Sequence, residues 1–405
     1  MFGIFKIKNQ SLALVIKIII ALILGGAIGK FLMLNNVGIN ILRLFVTFSD
    51  IVSQFLSFFV PIAVLTLVMP SIIELGNKAS KMLIAGIVLS FLSFVIIGFI
   101  SAGFAYLTVP TLLTNKGTQA LSSVQHISGF VPQILTPIFD VITAITIAFS
   151  FGIAATKVPS PNLIKVLKEV ETCTYTILNR FLIPLLPFYI FCILAKLSAS
   201  GELTSNLGNF IGIILLTFVI SNGYTLIVMF ILAKITGRSF IKLIITYIPA
   251  YLVAFGTRSS KATIPTSLEC AEKIDISKEV RDFGVPLLST THMMGDMSMQ
   301  IFGAIAFHYI FTGTMIPLSL IISYIFLLST VLIACPGTPG GVVVTTRPFL
   351  TTFLGFPVPV AESFFAVGIA NDSFATGTNV VADSLILLIL DIINKKLHKF
   401  ENQNE

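Results

Sequence analysis

Among the polar residues of a largely apolar stretch near the C-terminus are Asp372, Thr376, Asn379 and Asp383. Spacings of four, three and four place them on one face of a helix. A carboxylate in apolar surroundings is costly unless a cation meets it. Such a face is therefore suited to holding positive charge, carried by a solute or by another side chain. Two clusters of polar and helix-breaking residues lie upstream, Gly256-Thr257-Arg258-Ser259-Ser260-Lys261 and Cys335-Pro336-Gly337-Thr338-Pro339-Gly340-Gly341, with His292 and Asp296 between them. The sequence holds no HExxH zinc motif, no GxSxG elbow and no Walker-type glycine loop. Its polar residues point to binding and movement of a solute rather than to enzymatic turnover.

The elements that position these residues must be built in lipid. Of 405 residues, 56% are hydrophobic and only 11% charged, with a mean hydropathy of +1.00. That is too little polarity to cover a water-soluble protein of this length. Apolar stretches of bilayer-spanning length recur from end to end, and runs such as 14–24 and 211–220 lack the period-two alternation of a barrel strand. Helices are predicted over 11–34, 40–74, 78–108, 133–157, 162–198 and 204–236, with Pro61 and Pro70 kinking the second. The stretch 110–130 is the one long polar excursion, placed outside.

Charge placement sets the topology. Lys6 and Lys8, Lys78 and Lys81, Lys157, Lys165 and Lys168, Lys234, Arg238 and Lys242, Lys273, Lys278 and Arg281, and Lys395, Lys396 and Lys399 mark alternate span ends, whereas 109–132 carries only Lys116. This pattern puts both termini in the cytoplasm of a bacterial-type inner membrane. Residues 1–10 lead into a full-length span and read as a cytoplasmic tail, not a cleaved signal. The net charge of +7 is thus a topology signal and argues for no nucleic-acid partner. Cys173, Cys192, Cys270 and Cys335 lack paired or metal-type spacing and are expected to be free thiols. Asp140, Glu269 and Glu362 fall near predicted ends or tips and are expected to be solvated or structural. The methionines at 293, 294, 297 and 299 read as adaptable packing.

From residue 239 the pattern changes. Residues 239–277 read as a re-entrant helical hairpin whose tip is the first polar cluster, followed by a seventh span at 282–312. A second hairpin, 314–355, opens from the opposite side and precedes an eighth span at 358–397. Two such units form an inverted repeat, and interrupted helices in inverted repeats mark transport sites. The fold class expected is an all-α polytopic membrane protein with eight transmembrane helices and two re-entrant hairpins.

At the two tips and the last two helices the sequence resembles the dicarboxylate/amino-acid:cation symporter family, which includes the glutamate and aspartate transporters. The resemblance extends over nearly the whole chain. It includes Leu24-Gly25-Gly26-Ala27-Ile28-Gly29, the serine-rich first tip, Pro339-Gly340 in the second, and the closing N-x-x-x-D of the last helix as Asn379 and Asp383. It implies a homotrimer of sodium-coupled elevator transporters, with 1–238 largely a scaffold and 239–397 a mobile transport domain.

What the resemblance implies for single residues can be weighed against their chemistry. Asp372 would hold a substrate α-amino group; the alternative is an ion pair with Arg258. Ser259, Ser260, Gly340, Gly341, Thr376 and Asn379 would line the substrate, although a threonine in a membrane helix often bonds its own backbone. Asn379 and Asp383 would ligate sodium, hard oxygen donors suiting a hard cation; the alternative is a hydrogen-bonded link between helices. Where the family shows N-M-D-G-T, this chain has His292-Met293-Met294-Gly295-Asp296. Met294 replaces a sodium-binding aspartate, and a thioether is a poor ligand for that ion. Ala375 replaces the arginine that binds acidic substrate side chains, and Asp296 replaces a threonine beside the same pocket. An acidic substrate would meet an uncompensated carboxylate there, which favours a neutral amino acid. Asp296 would either face a polar or cationic substrate group or pair internally with Lys261. His292 is a packing residue or, like Asp296, a proton carrier.

Cation-coupled symport of an amino-acid-like solute accounts for these features together. A proton-coupled or uncoupled carrier of a cationic or polar amino acid, or a channel-like anion conductor, are the competing expectations. No cofactor is expected beyond the coupling ion; the partners are the small-molecule solute and membrane lipid. The topology is checked by reporter fusion: green fluorescent protein at the C-terminus should fluoresce, and alkaline phosphatase at the same point should be inactive. An active phosphatase would reverse the orientation.

Overall fold

The computed structural model describes residues 17, 20, 21, 23–33, 36–77, 81–113, 128–132, 134–136, 138–139, 141–158, 161–199, 201–333, 335, 337 and 339–401. The 1–10 tail, Asp140 and residues 114–127 of the polar excursion lie outside them. Among the described residues there is no strand.

The N-terminal half comprises α1 (Asn36–Asn77), α2 (Lys81–Leu112), α3 (Val141–Lys157), α4 (Pro161–Ile177), α5 (Ile183–Ala199) and α6 (Glu202–Thr236). A π-helical turn, Leu178–Leu182, joins α4 to α5. The prolines at 184 and 187 each remove an N–H from the helical ladder just downstream of this turn. Pro61 and Pro70 lie within α1. Residues 23–33 form a helix that meets α5 closely: a Cβ on Gly25 would lie 2.7 Å from the Phe191 carbonyl oxygen. The fourth predicted span starts later than its hydropathy indicates, at Val141 rather than 133. The N–H groups of Ile134 and Leu135 donate to Gln54 Oε1 of α1, at 2.7 and 3.2 Å. A side chain thus satisfies backbone that helix would otherwise satisfy.

In the C-terminal half, α7 (Phe240–Thr257) and α8 (Ser260–Lys273) form a helical hairpin. Arg238 Nη2 closes its base by donating to the Asp275 carbonyl, 2.9 Å. Then come α9 (Lys278–Thr291) and α10 (Met294–Thr312), parted by extended backbone at His292 (φ −129°, ψ 106°). The second hairpin is α11 (Leu318–Leu332) and α12 (Gly341–Thr352), whose open ends meet where Tyr324 stacks on Phe353. The last element, α13 (Val358–Glu401), runs unbroken.

Among the described residues, five helices are long and apolar enough to cross a bilayer: Gly38–Ala63, Met82–Leu112, Asn206–Thr236, Phe240–Thr257 and Val358–Lys395. Leu207, Ile211, Leu215 and Val219 recur every fourth residue along α6 and are exposed, as a lipid-facing stripe would be. The core surrounds α10, which is buried at every position from Met294 to Phe307 and packs against α2, α6 and α13.

The hairpins approach α13 from opposite ends. The base of the first lies beside Asp391, whose Oδ1 accepts from the Ser277 N–H and hydroxyl at 3.0 and 2.7 Å. Asp391 Oδ2 takes Arg238 at 3.2 Å and Lys395 at 2.7 Å. The second hairpin descends from the start of α13: Val343 packs on Gly368, and Gly340 reaches Ile369. Both tips arrive near Asp372, 19 positions from Asp391, or about 28 Å along the axis at 1.5 Å per residue.

Two long-range contacts refine the sequence expectations. Glu362 is buried rather than solvated, and its carboxylate meets Lys196 of α5 at 3.7 Å. Arg347 of α12 is buried and donates to the Ser53 hydroxyl of α1. All four cysteines are free thiols. Asp391→Ala should lower the melting temperature of the detergent-purified protein, because the base of the first hairpin loses its shared acceptor. The expected cost is about 2–4 kcal/mol for a hydrogen-bonded buried ion cluster, and Asp391→Asn should recover part of it.

Candidate functional site

The first tip is shaped by its own sequence. α7 ends at Arg258, which adopts the left-handed conformation (φ 54°) while its N–H still bonds Ala254 O at 2.7 Å. A non-glycine residue there costs roughly 1 kcal/mol or more, and the tertiary contacts of the side chain offset this. Its Nε donates to Asp372 Oδ2 at 2.6 Å and its Nη2 to the Ile369 carbonyl at 3.2 Å. Ser259 then caps α8, its hydroxyl accepting from the Ala262 N–H at 3.3 Å.

The second tip meets the same carboxylate. Gly340 is left-handed (φ 70°), and its N–H donates to Asp372 Oδ2 at 3.0 Å. The tips also touch each other, Ser259 Oγ lying 3.2 Å from the Gly337 carbonyl. Asp372, Arg258 and Gly340 are thus brought together, with Ser260 and Gly341 buried at the first positions of α8 and α12.

Lower on the same face of α13, Asn379 is held by the broken helix. Its Oδ1 accepts the Gly295 N–H at 2.7 Å, and its Nδ2 donates to Asp296 Oδ2 at 2.7 Å. Only glycine fits at 295, since a Cβ would stand 2.5 Å from the Ala375 carbonyl oxygen. Asp383 Oδ1 lies 2.8 Å from His292 Nδ1, and His292 Nε2 lies 2.9 Å from Ser93 Oγ of α2. Thr376 donates to the Asp372 carbonyl at 2.7 Å, the backbone bond that its residue type favours. Ala375 and Met294 are buried.

Asp296, expected to face the substrate or to pair with Lys261, is hydrogen-bonded to Asn379, and the charge of Arg258 acts on it. The charge of Glu171 acts on Lys261. Sequence reasoning also missed Ser93, Gly337 and the Ile369 carbonyl. Ser93 carried a weak signal, being one of three serines in a mainly apolar helix; the two backbone oxygens carried none. Around the meeting point lie the carboxylates of Asp372 and Asp296 and the guanidinium of Arg258, with Lys261 also at the first tip beside Gly337. The two carboxylates, gripped by two helical hairpins, suit a positive group and disfavour a further negative one.

A family model described as the sodium:dicarboxylate symporter family matches residues 14–393. The proton/sodium-glutamate symport protein of Bacillus subtilis (strain 168) is 27% identical over 167 residues, 40% of this chain and 38% of that protein. The serine/threonine transporter SstT of Enterococcus faecalis (strain ATCC 700802 / V583) is 29% identical over 150 residues, 35% of this chain and 34% of that protein. The matched segments span little more than a third of each relative's length.

Removing the guanidinium at the first tip tests the charge balance. Arg258→Ala leaves the carboxylate of Asp372 buried beside that of Asp296, and the protein should lose about 3–5 kcal/mol of stability. Arg258→Ala combined with Asp372→Asn should recover much of that loss in thermal unfolding. If the single variant unfolds at the wild-type temperature, the pair is not what holds the tip.

Proposed function

Because the chain belongs to the sodium:dicarboxylate symporter family, we propose that it is a cation-coupled secondary transporter of a small neutral amino acid. The observation that carries this reading is the convergence of both hairpin tips on Asp372. A solute bound there would be enclosed by Arg258, Ser259 and Ser260 on one side and by Gly340 and Gly341 on the other. Both described contacts to Asp372 fall on Oδ2, and we assign the solute's ammonium to Oδ1. Its side chain would face Thr376, Ala375 and Asp296.

The pocket residues support a neutral solute over an acidic one. A zwitterion brings its ammonium to the carboxylates of Asp372 and Asp296 and carries its own carboxylate toward the tip N–H groups. A glutamate-like solute would add a further carboxylate where Ala375 offers no partner and Asp296 repels. One relative is a glutamate symport protein and the other a serine/threonine transporter; the pocket residues favour the second kind of solute.

The same reading extends to the assembly. Residues 239–397 act as the transport domain and move as an elevator against a trimeric scaffold drawn largely from 1–238, in the inner membrane with both termini cytoplasmic. The opposed approach of the hairpins to α13 supports this division. A cation gradient supplies the driving force, sodium being the ion that the family description names.

A thermal-shift screen of purified protein tests the solute assignment, since a ligand that binds only the native state raises its stability by mass action. Acidic, neutral and basic amino acids are compared in sodium and in choline. Small neutral amino acids should stabilise, by about 2.7 kcal/mol at a hundredfold excess over Kd, and glutamate and aspartate should not. Stabilisation by the acidic pair would overturn the reading of Ala375 and Asp296.

A further inference from the structure

We infer that the imidazole of His292 occupies the place at Asp383 that the resemblance assigns to a sodium ion, so that Asn379 and Asp383 do not ligate the coupling cation. The inference rests on the transporter reading only for the cation's role; the geometry stands without it.

A hard cation needs several oxygen donors turned toward one point. Here Asn379 Oδ1 and Asp383 Oδ1 already have protein partners. Asn379 uses its carbonyl oxygen on the Gly295 N–H and its amide on Asp296, each at 2.7 Å. Turning that oxygen to an ion would orphan a buried N–H in the first turn of α10, a loss of about 1–3 kcal/mol before any ion is bound. The position that would add a carboxylate is Met294, fully buried and able to offer only a thioether.

Asp383 is met by nitrogen instead. Its Oδ1 lies 2.8 Å from Nδ1 of His292, within the range of charge-assisted hydrogen bonds. The ring is held on its other edge by Ser93, and Phe94 stacks on it at 5.6 Å between centroids. Swinging the imidazole aside to admit an ion would break both edges at once. The arrangement does not depend on the ring's charge. A neutral ring with its proton on Nδ1 donates to Asp383 and accepts from Ser93, and a charged ring donates to both. The buried phenol of Tyr247 faces the same carboxylate and brings no positive charge.

The test is a sodium titration of thermal stability in purified protein with no amino acid present, choline keeping ionic strength constant. Its outcome is therefore independent of which solute is carried. Asp383→Asn should leave the sodium concentration for half-maximal stabilisation within about twofold of wild type, whereas loss of a true ligand would raise it about tenfold or more. A wild type with no sodium response also accords with the inference. His292→Asn, which frees Asp383 and supplies a carbonyl oxygen, should create or strengthen a sodium response by about tenfold. If Asp383→Asn does not fold, the His292 variant decides alone. A tenfold weakening in Asp383→Asn, or an unchanged response in His292→Asn, would overturn the assignment.

Discussion

The structure depends on one buried carboxylate that no single element can satisfy. Asp372 sits mid-helix in α13, where an uncompensated charge would cost several kcal/mol. Arg258 from one hairpin and the Gly340 N–H from the other meet it on the same oxygen. Each hairpin ends where it does because its tip must reach this point. The left-handed backbone at Arg258 and at Gly340 is the local cost of that reach. The base of the first hairpin is fixed in turn by Asp391, far along the same helix.

A second constraint acts further along the same face of α13. The break between α9 and α10 brings Gly295 against the Ala375 backbone, a separation that permits the short bond to Asn379. Two residues flanking the break are tied to α13: Asp296 engages the amide of Asn379, and His292 engages Asp383.

Much of this was legible in the sequence, because membrane burial makes polar residues conspicuous. The four-three-four spacing gave the face of α13, and the two breaker clusters marked the breaks between α7 and α8 and between α11 and α12. Span limits were less legible where side chains intervene. Hydropathy could not show that Gln54 would hold residues 134 and 135 out of a helix, nor that a π turn would precede the prolines at 184 and 187. Pairing was the least legible, since charge complementarity alone cannot choose among partners at similar depth. It nominated Lys261 for Asp296, whereas the geometry supplies Asn379. It left Glu362 and Arg347 without roles, although both reach across to the N-terminal helices.

The interruption at His292 and Met293 has an electrostatic consequence. Restarting the helix at Met294 creates a new helix N-terminus in the protein interior, with the partial positive charge of its unpaired N–H groups. Asp296 falls in that first turn, where such a field favours a carboxylate by about 0.3–1 kcal/mol, and up to about 2 when partly buried. A continuous helix through this region would place the same side chain mid-span, with no such field to hold it. The break therefore offsets part of the cost of burying a second carboxyl group beside Asp372.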